Sequence, residues 1–267
     1  MDPARGKILL GDWAGTWLET KVDLRPSSRA RLEGVLRAHI VPEFGDRPLS
    51  GIGNAEIGAW VARLGSAGLS ASTVRKSVNA LSQMMRAAVA DRRIPFNPCQ
   101  GVPLPPERHV EQRFLMPREV EVLAEVMEPR FRALVLLAAY CGLRFGELAG
   151  LRRSRLDPVR GRVQVAESLV EANGQLSFGP TKSKRSRRSV PLPRRIASEM
   201  QAHLEQWGLA DPDSLVFTGP KGGALRRAGF RRSWWQPATK AAGLPGFKFH
   251  ELRHTFVALW GCGWSKP

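Results

Sequence analysis

Five prolines within sixteen residues constrain this chain more than any other feature of its sequence. They lie in the stretch IPFNPCQGVPLPPERH, at Pro95, Pro98, Pro103, Pro105 and Pro106. Proline fixes φ, removes a backbone donor and disfavours helix at the preceding residue, so neither a helix nor a central strand can run through this stretch. We therefore expect an extended linker over residues 95–111, with separate domains over residues 8–94 and 112–267.

The first segment has the pattern of a bundle of about four helices. Apolar residues recur at helical spacing, and the candidate helix starts are Asn54 and either Ser70 or Ser72. The opposite side of the last helix carries Arg75 and Lys76. The apolar face of that helix is predicted to contain Val74, Val78, Leu81, Met84, Met85 and Ala88.

The second segment changes from a helical to an alternating pattern and back again. Phe131–Tyr140 is a strongly apolar helix that Gly142 ends. Asn173-Gly174 is a strong hairpin signal between alternating apolar residues. Helical patterns return over residues 196–207, 226–242 and 250–259. The predicted fold class is mainly α with a small antiparallel β-sheet.

Charge gives the first indication of function. The formal net charge is +17, with 15 Lys/Arg against 10 Asp/Glu in residues 1–110 and 26 against 14 in residues 111–267. Both segments are therefore basic, which indicates a polyanionic partner and chiefly nucleic acid. On charge alone, a ribosomal-type RNA-binding protein or a protein of the membrane surface stays open.

Cysteine usage and hydropathy exclude several other classes. Three cysteines, Cys99, Cys141 and Cys262, form no CxxC pair, which argues against a disulfide framework or a zinc site. No apolar run approaches the roughly 18–20 residues of a membrane span, and the N-terminus lacks the apolar stretch of a signal peptide. We expect a cytoplasmic protein.

Two basic patches in the second segment have phosphate-binding character. CGLRFGEL places Arg144 between glycines just after the buried helix, and TKSKRSRRSVPLP carries five Lys/Arg in seven residues before a strand. Arginine suits bidentate contacts with phosphate. Taken singly, the patches also fit a surface arginine after a helix stop and a solvated charged loop.

A third patch, HELRHTF, lies near the end of the chain. His250 and Arg253 are three residues apart and therefore share one helical face, with His254 one turn from His250. They can direct their side chains at one ligand. A capped helix with an ordinary surface arginine is the plainer alternative.

Taken in order, the three patches resemble the tyrosine recombinase, or phage integrase, family. The series CGLRxGEL, TKxKxxRR leading to VPLP, and HELRHTF is similar to the catalytic domain of that family over about residues 112–260. The helices before the proline-rich stretch resemble its SAM-like core-binding domain. Each motif is only moderately specific, whereas three in the right order are very specific.

The resemblance implies a chemistry for these residues. Members of the family cut a DNA phosphodiester with a tyrosine, form a 3′-phosphotyrosyl intermediate and need no metal or cofactor. Arg144 and Arg253 would stabilise charge on the phosphate, and His250 would assist proton transfer or phosphate contact. Lys182 would protonate the leaving 5′-oxygen, with Lys184 as its rival because the hairpin register is open.

The resemblance also implies supporting residues and partners. Glu147 and His254 would support the site. The expected partners are double-stranded DNA at attachment sites and other recombinase subunits, with neither a membrane nor a small-molecule substrate. DNA contacts are expected from Arg75, Lys76, Lys184, Arg185 and Arg188.

The family's nucleophilic tyrosine has no counterpart at the expected place. Eleven residues follow Phe256, and the one tyrosine of the sequence is Tyr140, whose position predicts a core or rim residue. We therefore expect a catalytic domain truncated at its C-terminus, without a nucleophile. Three interpretations stay open: a recombinase by family that is inactive alone, a DNA-binding remnant that competes for recombination sites, or a chain completed by a tyrosine from a neighbouring subunit.

Overall fold

Two hydrophobic cores organise the part of the chain that the structure describes. The structure is a computed structural model and describes residues 5–107, 112–180 and 187–261. The chain divides into two units, Met1–Val110 and Glu111–Pro267. Each unit has its own core of buried apolar residues.

The first unit is helical over its described residues. A π turn over Leu36–Ile40 joins its second and third helices directly. Of the two starts predicted for the last helix, Ser70 caps it, because its Oγ accepts a hydrogen bond from the Thr73 N–H at 3.2 Å. The helices are α1 (Leu10–Glu19), α2 (Pro26–Val35), α3 (Val41–Phe44), α4 (Asn54–Ser66) and α5 (Ala71–Ala90).

Large side chains connect these helices in the first core. The predicted apolar face of α5 is confirmed, since all six of its residues are buried. Phe44 of α3 meets Trp60 of α4 edge to face, with 5.2 Å between ring centroids. Trp13 of α1 donates its indole N–H to the Met84 carbonyl of α5 at 3.2 Å. In this core, an aromatic contact thus joins α3 to α4 and a buried hydrogen bond joins α1 to α5.

Part of the proline-rich stretch packs against the first unit. Cys99 and Val102 are buried in its core, and burial raises the pKa of the Cys99 thiol to about 12. Asn54, predicted to cap α4, is instead its first residue, and its side-chain amide donates to the carbonyls of Pro98 at 2.9 Å and Gln100 at 2.7 Å. These contacts fasten the stretch to the start of α4.

Helices surround a small β region in the second unit. A π turn over Arg231–Trp235 joins two short helices where the sequence predicts one continuous helix. The helices are α6 (Pro117–Val126), α7 (Pro129–Cys141), α8 (Phe145–Ala149), α9 (Arg194–Trp207), α10 (Arg227–Phe230), α11 (Gln236–Ala241) and α12 (Glu251–Gly261).

The predicted fold class is confirmed, since the described strands form small antiparallel sheets, here two of them. The strands are β1 (Leu156–Asp157), β2 (Arg162–Val165), β3 (Glu167–Ala172), β4 (Gln175–Pro180) and β5 (Arg188–Pro191). β3 and β4 make a hairpin closed by Asn173 (φ 49°) and Gly174 (φ 76°), which confirms the predicted turn. The other sheet has the order β1-β2-β5, with Val163 opposite Val190.

Helix α7 forms the centre of the second core. Its apolar residues are buried on every side, as its sequence predicts. Cys141, at its end, is also buried, and burial raises the pKa of its thiol to about 12. In the described ranges, none of the helices is both long enough and apolar enough to cross a membrane.

Candidate active site

The end of α7 sets the position of Arg144. Gly142 adopts the left-handed conformation (φ 65°) and donates its N–H to the Ala138 carbonyl at 3.1 Å, which ends the helix. Leu143 then returns to the core, and Arg144 precedes α8 with extended backbone angles. A Cβ atom at Gly142 would lie 2.5 Å from Cδ1 of Phe256 in α12, so only glycine fits here.

Helix α8 lies against the backbone of β3. A Cβ atom at Gly146 would lie 2.8 Å from the Leu169 oxygen, and one at Gly150 would lie 2.7 Å from the Leu169 nitrogen. The glycine between Arg144 and Glu147 in the motif therefore allows the helix to approach the strand. This packing directs Glu147 inward, where its side chain is 3% exposed.

Glu147 is a buried carboxylate that two arginines neutralise. Arg144 donates its backbone N–H to Oε2 at 2.8 Å and its Nη1 to Oε1 at 3.0 Å. Arg188, the first residue of β5, donates Nη1 to Oε1 at 3.1 Å and Nη2 to Oε2 at 3.0 Å. Burial alone would raise the pKa of Glu147, but the bonds from Arg188 and Arg144 outweigh it and hold the pKa below its ordinary value. Glu147 is therefore ionised at neutral pH.

Arg253 of α12 brings a third guanidinium group to this cluster. Its Nη1 donates to the Gly142 carbonyl at 2.6 Å, so the end of α7 also orients this side chain. Burial, followed by the positive charges of Arg144 and Arg188, lowers the pKa of Arg253. It stays protonated at pH 7, since arginine ordinarily loses its proton only far above neutral pH. The cluster carries more positive than negative charge and suits an anion.

Two histidines border the cluster. His250 and His254 have ring centroids 5.5 Å apart, with ring planes at 85°. Desolvation, then the electrostatic effect of His254 and the positive charges of Arg253 and Arg144, lower the pKa of His250. The ring is therefore largely neutral at pH 7, and in this form it can both accept and donate a proton.

The structure adds Arg227 to the residues that the sequence indicates. Its side chain is exposed at the start of α10, and its charge also lowers the pKa of His250. The neighbouring Arg226 is instead bound to the β3–β4 hairpin, donating to Glu171 Oε1 at 2.6 Å and the Gly174 carbonyl at 2.8 Å. In the sequence, the two adjacent arginines carry no signal that separates these roles.

The predicted site residues fall into three groups. Arg144, Glu147, His250, Arg253 and His254 come together at the second unit's cluster, and Arg188 joins them. In the first unit, Lys76 is exposed on α5, whereas Arg75 donates its Nε to the Pro105 carbonyl at 2.9 Å. The roles assigned to all of these residues stay predictions. Three predicted residues lie outside the described ranges: Lys182, Lys184 and Arg185.

Tyr140 is engaged elsewhere in the second unit. Its hydroxyl donates to Oε1 of Glu121 at 3.3 Å, and its ring packs partly buried against the core. Desolvation, followed by the negative charge of Glu121, raises the pKa of Tyr140 to about 12. Across the described ranges, no group of three His, Cys, Asp or Glu side chains is arranged to hold a metal ion.

Comparison with known families matches most of the chain. The sequence pattern described as "Phage integrase family" matches residues 113–259. The pattern described as "Phage integrase, N-terminal SAM-like domain" matches residues 9–65. Both parts of the resemblance seen in the sequence are therefore confirmed at the level of the family.

Curated relatives and solved structures agree. The integrase of Mycobacterium phage FRAT1 is 29% identical over 96% of this chain and 77% of its own length, and that of Mycobacterium phage D29 is 29% identical over 96% and 68%. The fold is similar to Tn1549 transposon integrase in complex with transposon right end DNA (TM-score 0.80, 18% identity, 96% of this chain and 88% of that one). It is also similar to a lambda integrase dimer bound to a COC′ core site (TM-score 0.73, 19% identity, 97% and 92%).

Proposed function

This chain belongs to the phage integrase family, and from that membership we propose that its second unit binds the scissile phosphate of double-stranded DNA during site-specific recombination. The carrying observation is that Arg144 and Arg253, from separate elements, meet beside His250 in one partly exposed cluster. Other recombinase subunits on the same DNA would be its protein partners. The chain would act in the cytoplasm.

The cluster suits a phosphate that gains charge during reaction. The Arg144 side chain is 40% exposed, and Arg253 is partly exposed, so a ligand can reach both guanidinium groups. Arginine presents paired N–H donors that match two phosphate oxygens. Donors fixed before reaction stabilise the developing negative charge without reorganising. Neutral His250 would move a proton at the phosphate, and Lys182 stays the proposed acid for the 5′-oxygen.

The nucleophile would have to be a hydroxyl other than that of Tyr140. The 267 residues contain no second tyrosine, and Tyr140 is bound to Glu121 with a raised pKa. A raised pKa disfavours the phenolate that would attack phosphorus. The engagement of Tyr140 with Glu121 is the observation behind a second candidate function: a DNA-binding protein that occupies recombination sites without cutting them.

DNA binding by the charge-neutralised variant Arg253→Gln tests the proposal. We expect the wild-type affinity for a mixed-sequence duplex to fall steeply as the salt concentration rises. Each lysine or arginine that binds a DNA phosphate releases a counterion from the DNA, and added salt opposes that release. Arg253→Gln should weaken binding and reduce the slope of log K against log salt by about 1, as expected when one phosphate contact is lost. The matched control is Arg160→Gln, since the Arg160 side chain is 73% exposed and pairs with Asp157 at 3.6 Å. Equal effects of the two substitutions would contradict the proposed site.

The same protein and DNA separate the two candidate functions. The chain is incubated with labelled DNA, denatured, and examined for a covalent protein–DNA adduct. If no adduct forms and DNA binding is weakened by Arg253→Gln, the non-cutting candidate is supported. An adduct that persists in Tyr140→Phe supports cleavage by another nucleophile, whereas its loss in Tyr140→Phe would assign attack to Tyr140 against the geometry.

A further inference from the structure

The Glu147 carboxylate accepts four hydrogen bonds, two at each oxygen, so each oxygen stays paired if one bond is lost. Oε1 accepts from Arg188 Nη1 at 3.1 Å and Arg144 Nη1 at 3.0 Å. Oε2 accepts from Arg188 Nη2 at 3.0 Å and from the Arg144 backbone N–H at 2.8 Å. Three of these four hydrogen bonds therefore do not involve the Arg144 side chain. If that side chain moves away, both carboxylate oxygens keep a donor.

This arrangement bears on how Arg144 reaches DNA. In the structure, Nη1 of Arg144 is bound to Glu147, yet the side chain is 40% exposed and can turn outward. A bidentate contact with phosphate needs two N–H donors of one guanidinium group. Glu147 and a DNA phosphate are both anions and attract the same guanidinium group, so the hold of Glu147 on Nη1 opposes any outward turn of the side chain toward the phosphate.

Arg188 decides how strongly Glu147 competes. Glu147 is 3% exposed, and a carboxylate buried to this degree holds any cation that remains beside it. With Arg188 present, the planar guanidinium satisfies both oxygens at once. Without Arg188, the Arg144 side chain would be the cation left among the described partners that hydrogen bond to this carboxylate.

We propose that Arg188 is a positioning residue that holds both oxygens of Glu147 and thereby releases the Arg144 side chain to bind the DNA phosphate. The proposal rests on the function proposed above and deepens it. It differs from the role that the sequence suggests for Arg188, which is a direct contact with DNA. In the present proposal Arg188 acts through Glu147, so its effect on DNA binding depends on that carboxylate.

A double-mutant cycle tests this dependence. The affinity for the mixed-sequence duplex is measured at several salt concentrations for Arg188→Gln, Glu147→Gln and the double variant. Arg188→Gln should weaken binding about tenfold, a loss expected when a charged hydrogen-bonded contact is disabled. Adding Glu147→Gln should restore most of that loss and return the salt slope to the wild-type value, because no carboxylate then competes for Arg144.

Arg187 offers a matched control for charge. It is exposed, adjacent to Arg188 and of the same type. The pair Arg187→Gln and Arg187→Gln/Glu147→Gln repeats the same charge changes, and the two double variants both keep the wild-type net charge. Recovery should be at least about threefold larger in the Arg188 background, since coupling is expected only between groups in contact.

The outcomes distinguish the proposal from its alternatives. If the double variant binds as weakly as Arg188→Gln, with a slope lower by about 1, Arg188 contacts phosphate directly and the proposal is overturned. If Arg253→Gln binds DNA as tightly as wild type, the proposed phosphate-binding site itself is wrong. Thermal melting checks folding. If Arg188→Gln does not fold, Arg188→Lys takes its place, because lysine keeps the positive charge but lacks the paired N–H donors of the guanidinium group. The weaker DNA binding of Arg188→Lys should likewise be restored by Glu147→Gln.

Discussion

Gly142 joins three requirements at one backbone position. It ends α7 in the left-handed conformation, its carbonyl accepts the hydrogen bond of Arg253, and its missing side chain leaves room for Phe256. The helix stop and the orientation of an active-site arginine therefore depend on the same residue.

Gly142→Ala should destabilise the second unit by about 2–4 kcal/mol, combining left-handed strain with overlap of Phe256. Gly174→Ala is the control, because Gly174 also has positive φ (76°) but no atom within 4 Å of its added Cβ. It should lose only about 1 kcal/mol. Urea unfolding measures both. Equal losses at the two positions would show that contact with Phe256 contributes nothing.

The sequence shows some of these residues better than others. Gly142 is recognisable as a helix stop because the apolar helix before it ends there. The pairing of Glu147 with Arg188 is not, since 41 residues separate them and their contact depends on non-local strand pairing. The sequence shows both residue types, but a pattern along the chain does not show which cation faces which carboxylate.

At the scale of elements, α8 depends on its neighbours for its structure. Its five residues are too few to form a helix in isolation. Contact with the β3 backbone through Gly146 and Gly150 supplies the missing stabilisation. Because Glu147 lies on this helix, the position of the Arg144–Glu147 pair follows from that contact.

Gly150→Ala should therefore destabilise the second unit by about 1–3 kcal/mol, since the added carbon meets backbone that cannot yield easily. DNA binding should weaken with it. Gly229→Ala in α10 is the matched control, because its Cβ would meet nothing within 4 Å. Alanine there should be neutral or stabilising by up to about 1 kcal/mol. The free energy of unfolding of the two variants, measured in urea, should differ in sign or in size; the same value for both would contradict this account.

Sequence patterns predict those elements whose structure is decided by residues adjacent in the chain. The Asn173-Gly174 hairpin and the Ser70 cap are both present, because each is decided by neighbouring residues. The π turns over Leu36–Ile40 and Arg231–Trp235 are not predicted. They leave the apolar spacing close to helical, and the choice between helix types is made by packing.

At the scale of the whole molecule, the proline-rich stretch belongs partly to the first unit. Cys99 and Val102 are buried there, and Pro105 accepts a hydrogen bond from Arg75. We propose that the first domain extends to about residue 107 rather than ending at residue 94.

A fragment of residues 1–107 should therefore unfold cooperatively and be more stable than residues 1–94. The shorter fragment loses the burial of Cys99 and Val102 and the acceptors of Asn54 and Arg75, which together contribute about 2–5 kcal/mol. Circular dichroism melting of the two fragments measures the difference. Equal melting temperatures would place the boundary near residue 94.

The family could be predicted from the sequence, whereas the extent of the first unit could not. Basic charge in both segments and three motifs in order depend on residue types, which the sequence states directly. Proline density indicates that residues 95–106 are not helical, but it does not show whether an irregular stretch is solvated or packed. That distinction depends on Asn54, more than forty residues away from its acceptors.

The buried thiols of Cys99 and Cys141 provide a separate probe of local opening in each unit. The thiolate is the form that attacks an alkylating reagent, and burial with a pKa near 12 keeps the thiol protonated and covered while the core is folded. Once Cys262, which lies outside the described residues, is replaced by serine, the labelling rate at each position reports how often that core opens. If bound DNA slows labelling at one cysteine and not at the other, the unit that contains the slowed cysteine is the one that DNA stabilises.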